Sequence, residues 1–170
     1  MRIRRAGRDD VPVVLGLLDG ATEWLVARGR TDQWGTEPHS TSPRRIEQIT
    51  GFADDNGLWV AEADGRVVGA LAVGDSMPYV PPAAEPELYV RLLVTERASA
   101  GQNIGGVLLD HARELARAAG VGLLRVDCFA GGDGALVRYY EKQGFTREAE
   151  FAVPRVNGSD WPGQVLAQRL

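Results

Sequence analysis

The chain is expected to fold as a mixed α/β domain, a sheet with parallel and antiparallel strands covered by helices. Helix-like and strand-like stretches alternate along most of its 170 residues. An antiparallel hairpin is signalled early, where Asp64-Gly65 separates two apolar runs, Leu58–Ala63 and Val67–Val73. Two further apolar runs, Leu88–Val94 and Val121–Phe129, flank a long helical stretch. The length fits one domain with a core of its own.

The elements follow in order. Ile3–Ala6 reads as a short first strand. Asp9 is placed to cap a helix that tolerates Pro12 in its first turn. Val11, Val14, Leu15, Leu18, Ala21, Leu25 and Val26 carry helical spacing to about Arg28, and Gly29 closes it. Residues 29–41 are irregular. Ser42-Pro43 restarts a helix with an apolar face of Ile46, Ile49 and Phe52. After the hairpin, Pro78, Pro81, Pro82 and Pro86 exclude a central strand and mark a rigid loop.

The stretch from Leu88 to Gly120 organises the rest. An apolar strand leads through Thr95–Ser99 into Ala100-Gly101-Gln102-Asn103-Ile104-Gly105-Gly106. Ile104, Val107, Leu108, Ala112, Leu115 and Ala119 then share one helical face, and Gly120 is a left-handed stop. A glycine-rich turn at a helix start presents unpaired N–H groups to an anion such as a pyrophosphate. The turn alone equally suits a helix that merely packs on a sheet. Beyond it, Ala135–Lys142 is a short helix, a strand starts at Gly144-Phe145, and 157–160 is a turn. Trp161-Pro162-Gly163 leads into a last strand, Gln164–Leu170.

Composition narrows the function. Apolar residues at 44% and charged residues at 25% are ordinary for a globular protein. The net charge of −4 argues against nucleic acid as a partner. No stretch reaches the ~20 apolar residues of a membrane span, and no apolar signal core follows the basic start, so a cytoplasmic location is expected. One cysteine and two histidines make neither a disulfide nor a metal set.

Three segments together resemble the GNAT superfamily of acyl-CoA-dependent N-acetyltransferases. Ala100-Gly101-Gln102-Asn103-Ile104-Gly105 is similar to that family's Arg/Gln-x-x-Gly-x-Gly/Ala turn. Tyr140-Glu141-Lys142-Gln143-Gly144-Phe145 resembles its Tyr-Glu-Lys-x-Gly-Phe segment, and the Trp59–Gly69 hairpin its second and third strands. The likeness covers nearly the whole chain. It departs at Ala100, where the family often has Arg or Gln, at Asn103, which replaces a glycine, and at Asp133, where an Asn is common. Asn tolerates positive φ better than other side chains, so the turn is expected to survive.

The resemblance implies a mostly antiparallel sheet, helices on both faces, and a central strand pair, Leu88–Val94 and Leu123–Phe129, that splays. It implies acetyl-CoA as co-substrate, with pantetheine against Leu93 and Val94 and pyrophosphate on Ala100, Gly101, Gln102, Asn103, Ile104, Gly105 and Gly106. It also implies direct transfer of the acetyl group to a primary amine, with Tyr140 beside the cofactor as proton donor to the departing thiolate. For the base, Glu87 is the first candidate, with Glu85, Glu62, Asp127, His39 or a water chain as alternatives. Cys128 as a covalent nucleophile and His111 as a functional group are weaker readings. Arg97, Arg138 and Lys142 are candidate phosphate cations. The expected partner is a small-molecule amine, and the chain is expected to be a monomer or homodimer. A non-catalytic acyl-CoA-binding module, or a transferase using another acyl-CoA, is the alternative. Trp24, Trp34, Tyr79 and Trp161 are candidates for the acceptor's border or for the core.

Overall fold

The computed structural model describes every residue except Asn157, so the first residue of the expected 157–160 turn lies outside the described residues. Strands β1 (Arg2–Arg5), β2 (Leu58–Ala63), β3 (Arg66–Gly74), β4 (Leu88–Thr95), β5 (Leu123–Phe129), β6 (Thr146–Pro154) and β7 (Asp160–Arg169) form a seven-stranded sheet in the order β1-β2-β3-β4-β5-β7-β6. The helices are α1 (Val11–Val26), α2 (Pro43–Asp54), α3 (Ile104–Ala118) and α4 (Ala135–Lys142). The pairs β1–β2, β2–β3, β5–β7 and β6–β7 are antiparallel and β4–β5 is parallel, which is the mixed, mostly antiparallel sheet expected. The chain separates into two compact units, 1–73 with 92–111 and 74–91 with 112–170.

In the first unit, the hairpin turn is built as its sequence requires: Asp64 has φ +53° and Gly65 φ +74°, both left-handed. Val14 and Leu18 of α1 and Ile49 and Phe52 of α2 bury against Leu58, Val60, Ala70 and Ala72 on one sheet face. Gly69 points to the other face. A Cβ there would lie 2.7 Å from Ile104 and 3.0 Å from Leu108, so the missing side chain lets the first turns of α3 approach the strand. Helices thus flank both faces of this unit. Ser42 caps α2 by accepting the Arg45 N–H at 3.3 Å. Asp9, expected to cap α1, does not. A 3-10 turn over Arg8–Asp10 moves the helix start on by one residue, and the Asp10 carboxylate is spent on the Gly7 N–H and Arg4.

In the second unit, β4 pairs with β5 from Leu88↔Leu124 to Val90↔Val126. That ladder of three pairs is shorter than either strand, as a splayed pair requires. Strand β5 starts two residues later than expected, because Val121 still bonds back to the Ala116 carbonyl behind the left-handed Gly120. Trp161-Pro162-Gly163 is part of β7 rather than a lead-in to it. The β5 ladder ends at Phe129↔Gly163, and beyond it the Pro162 carbonyl accepts the Ala130 N–H at 3.0 Å. The missing Pro162 N–H falls past the end of that ladder and forfeits no bond.

Candidate active site

The turn ahead of α3 belongs to the first unit. Gly101 has φ +89° and Asn103 φ +55°, so the Asn takes the left-handed conformation that its replacement of a glycine demanded. The first backbone bond into α3 runs from Val107 to the Asn103 carbonyl at 3.1 Å. The N–H groups of Ile104, Gly105 and Gly106 precede that bond and stand at the positive end of a helix of 15 residues. A Cβ at Gly106 would meet the Asn103 amide oxygen at 2.3 Å, so these two residues depend on each other. Gly101, Gln102 and Asn103 are exposed, while Ile104, Gly105 and Gly106 are buried. The entry to the turn is fixed. The Glu96 N–H donates to Val68 O at 2.8 Å, Glu96 Oε2 accepts Ser99 Oγ–H at 2.7 Å, and Glu96 also pairs with Arg66. Arg66 first, then Ser99, hold the Glu96 carboxyl below the usual range. Leu93 and Val94 lie at the end of β4, Leu93 partly exposed and Val94 buried.

Arg97 lies just ahead of the turn, with its guanidinium 3.7 Å from the Trp24 ring centroid. Arg28 covers the same ring at 3.9 Å. Burial first, and then Arg28, lower the Arg97 pKa. Two cations sharing one indole, with no carboxylate on Arg97 among the described residues, form an electropositive patch three residues before Ala100. Sequence reasoning named Arg97 but had no means of finding its partner, 73 positions away.

Most of the base candidates are already committed. Glu62 pairs with Arg4, and Glu85 with Arg169. His39 takes a hydrogen bond on Nδ1 from Arg45 Nε at 3.2 Å, so its Nε2 carries the proton and donates to Thr22 Oγ1 at 2.8 Å. Its backbone N–H donates to Asp19 at 2.6 Å, and burial keeps its imidazole pKa low. This buried cluster ties the 29–41 segment to α1. His111 packs edge-on to Trp59 with centroids 4.4 Å apart.

In the second unit, Glu87 Oε2 accepts Arg125 Nη1–H at 2.9 Å. Arg125 is fully buried and also donates to Glu148 at 2.7 Å and to Pro81 O at 2.8 Å. Glu87 is therefore one arm of a buried ion-pair network. Asp127 has another kind of partner: Tyr89 Oη–H donates to its Oδ2 at 2.6 Å. Burial raises the Asp127 pKa despite that bond and the influence of Arg125. Next along β5, burial pushes the Cys128 thiol up to about 12, which keeps it protonated and removes it as a nucleophile.

Tyr140 sits on α4, buried, its ring edge-on to Phe145 at 5.8 Å and to Tyr139 at 5.3 Å. Burial first, then Cys128, Tyr139 and Asp127, raise its hydroxyl pKa well above the ordinary value. It is a protonated phenol next to the end of β5. Asp133, one residue ahead of the left-handed N-cap Gly134, accepts the Ala135 N–H at 3.0 Å and pairs loosely with Arg138.

These features define an N-acetyltransferase-like fold, and comparison with known proteins bears that out. The model of the acetyltransferase (GNAT) family matches residues 20–145, and the chain belongs to that family. It is 33% identical over 114 residues to mycothiol acetyltransferase of Beutenbergia cavernae, covering 65% of this chain and 36% of that protein. The match thus spans about a third of that relative's length. Among solved structures, it is similar over its full length to ribosomal-protein-alanine N-acetyltransferase of Brucella melitensis, with TM-score 0.74 and 22% identity over all of that chain. YncA of Salmonella typhimurium, solved with its cofactor acetyl-CoA, matches with TM-score 0.71 and 18% identity over all of this chain and 94% of that one. At these identities the two structures establish the fold.

Proposed function

We propose that the protein is an acetyl-CoA-dependent N-acetyltransferase that moves the acetyl group directly to a primary amine of a small acceptor. The observation that carries this reading is the turn before α3. Its left-handed Gly101 and Asn103 and the leading N–H groups of α3 suit a pyrophosphate, with Arg97 as a nearby cation. The residues present therefore fit the co-substrate that the family uses. When bound, acetyl-CoA supplies a thioester carbon for attack by the amine, with C–N bond formation, C–S bond cleavage and release of free thiol.

The chain's own groups then have defined tasks. Backbone amides from Gly101 to Gly106 bind and orient the pyrophosphate. Tyr140, kept protonated by burial, donates a proton to the departing sulfur. For the proton leaving the amine, Asp127 is favoured over Glu87, because Glu87 is ion-paired with Arg125 whereas the hydrogen bond on Asp127 comes from a phenol. The raised pKa of Asp127 also brings its basicity closer to neutrality. Incubation with acetyl-CoA and a panel of amines, with free thiol as readout, tests the reading. Thiol release that depends on both acetyl-CoA and an amine supports it. Tight CoA binding with no release on any amine supports a non-catalytic binding module instead.

A further inference from the structure

Between α1 and α2, residues 29–41 run without helix or strand, and His39 is the buried residue of that segment. Its ring sits in a socket built by both helices. From α1, Thr22 Oγ1 accepts the Nε2–H at 2.8 Å. From the first turn of α2, the Arg45 Nε–H donates to Nδ1 at 3.2 Å, while its Nη1–H donates to Gln48 Oε1 at 2.6 Å. From the segment itself, Trp34 packs against the imidazole with centroids 5.3 Å apart, and Trp34 in turn rests on the core that α1 and α2 share. The backbone is tied at the same place. The His39 and Ser40 N–H groups both donate to Asp19 Oδ1 on α1, at 2.6 Å and 3.2 Å. Residues 35–38 and 40–41, on either side, are exposed. His39 is thus the point where side chain and backbone of the segment both meet the helices.

These bonds hold the neutral imidazole. Nδ1 accepts from a permanently charged guanidinium, so a proton there sets donor against donor and cation against cation. Burial first, then Arg45, disfavour the imidazolium, and Asp19 favours it. The Asp19 Oδ1 is already engaged by two backbone N–H groups. Against the effect of burial, the Ser40 hydroxyl and the N–H groups of His39 and Ser40 hold the Asp19 carboxyl below the usual range. Mild acid therefore titrates the imidazole of this cluster and leaves its carboxylate ionised. A histidine whose folded pKa lies below its ordinary 6.5 contributes stability that is full above that value and is lost as pH falls through the folded one. Of the three elements that meet at His39, the segment is the one with no helix of its own to hold it, so the loss falls on its attachment.

We propose that His39 is an acid-sensitive latch whose protonation releases residues 29–41 from α1 and α2. The proposal is independent of the transfer reading above. Hydrogen exchange on the full chain at pH 7.5 and 5.0, with rates corrected for the intrinsic effect of pH, tests it beside an NMR titration of the imidazole. Protection of the His39 and Ser40 amides is expected to fall about fivefold or more at the lower pH and to follow the titration of His39, while the β2–β3 hairpin keeps its protection. Arg45→Gln replaces the guanidinium by a group that can accept from Nδ1–H. In that variant the imidazole should titrate at higher pH, and the acid loss of protection should shrink to within about twofold. His39→Gln removes the titrating group and should abolish the pH dependence at any level of protection. Protection at His39 and Ser40 that does not change with pH in the wild type overturns the proposal. So does an acid loss that survives either substitution, or one shared equally by the β2–β3 hairpin.

Discussion

The Tyr89 hydroxyl donates to Asp127 Oδ2 at 2.6 Å across the parallel β4–β5 pair. Burial dominates both groups, raising the carboxyl and the phenol alike. A carboxyl whose folded pKa exceeds its unfolded value contributes stability at low pH that is lost as pH rises through the folded value. Burial therefore disfavours the ionised form of Asp127 in the fold. Asp127→Asn keeps an acceptor for Tyr89 and removes the charge. Turnover is expected to fall on the order of 10²-fold or more, while the melting temperature at pH 7.5 holds or rises by a few degrees. Kinetics and thermal melts of the same preparation check both. Full activity in the variant removes Asp127 as the base.

Glu87 gives the reciprocal test. Its carboxylate faces Arg125, whose side chain is fully buried. Glu87→Gln leaves an oxygen for Arg125 but replaces a charged hydrogen bond by a neutral one, at a cost of roughly 1–2 kcal/mol in denaturant titration. Turnover is expected to stay within about threefold, because a structural carboxylate gives no rate factor of the size that acid–base catalysis supplies. A 100-fold loss of turnover with stability intact returns Glu87 to the role of base.

The turn before α3 is testable at two positions. Asn103 is left-handed, so Asn103→Gly should preserve CoA affinity to within a few-fold, whereas Asn103→Val forces a β-branched residue to φ +55° and should weaken it strongly. Gly105→Val sets a side chain among the leading N–H groups, and CoA affinity should fall at least tenfold in a folded protein. Calorimetry reads all three. Unchanged affinity in a folded Gly105→Val variant removes this turn as the pyrophosphate site.

Cys128 separates direct transfer from a covalent route. With its thiol pushed up to about 12, alkylation at pH 8 should be several orders of magnitude slower in the native protein than in denaturant. Cys128→Ala should retain turnover within about threefold and lose about 1 kcal/mol of stability. Mass spectrometry showing acetyl on Cys128, together with inactivity of the alanine variant, contradicts direct transfer.

Local signals carried the fold. The three- and four-residue apolar steps of α3, the Asp64-Gly65 turn and the Ser42-Pro43 start each state a backbone preference within a few residues, and each appears as read. Asn103 was legible in the same way, since its positive φ follows from its place in a glycine motif. What failed depended on distant partners. The cap of α1 moved because Asp10 meets Arg4 and Gly7, and Pro162 was accepted into a strand because the neighbouring ladder stops at Gly163. The base could not be chosen from sequence at all. Glu87 is neutralised by Arg125, 38 positions away, and Asp127 is held by Tyr89 across the same separation. One signal was present. Arg125 interrupts the apolar run Leu123–Val126, and a cation inside a buried strand calls for carboxylates nearby.

The central claim is transfer of an acetyl group with Tyr140 as proton donor, and the Tyr140→Phe variant tests it most directly. The substitution keeps the ring against Phe145 and Tyr139 and deletes only the hydroxyl. Thiol release from acetyl-CoA should lose on the order of 10²–10⁴-fold in turnover, with little change in the Michaelis constant for acetyl-CoA, as for an interaction made in the transition state. Turnover within about threefold of the wild type, or a loss confined to acetyl-CoA binding, contradicts it.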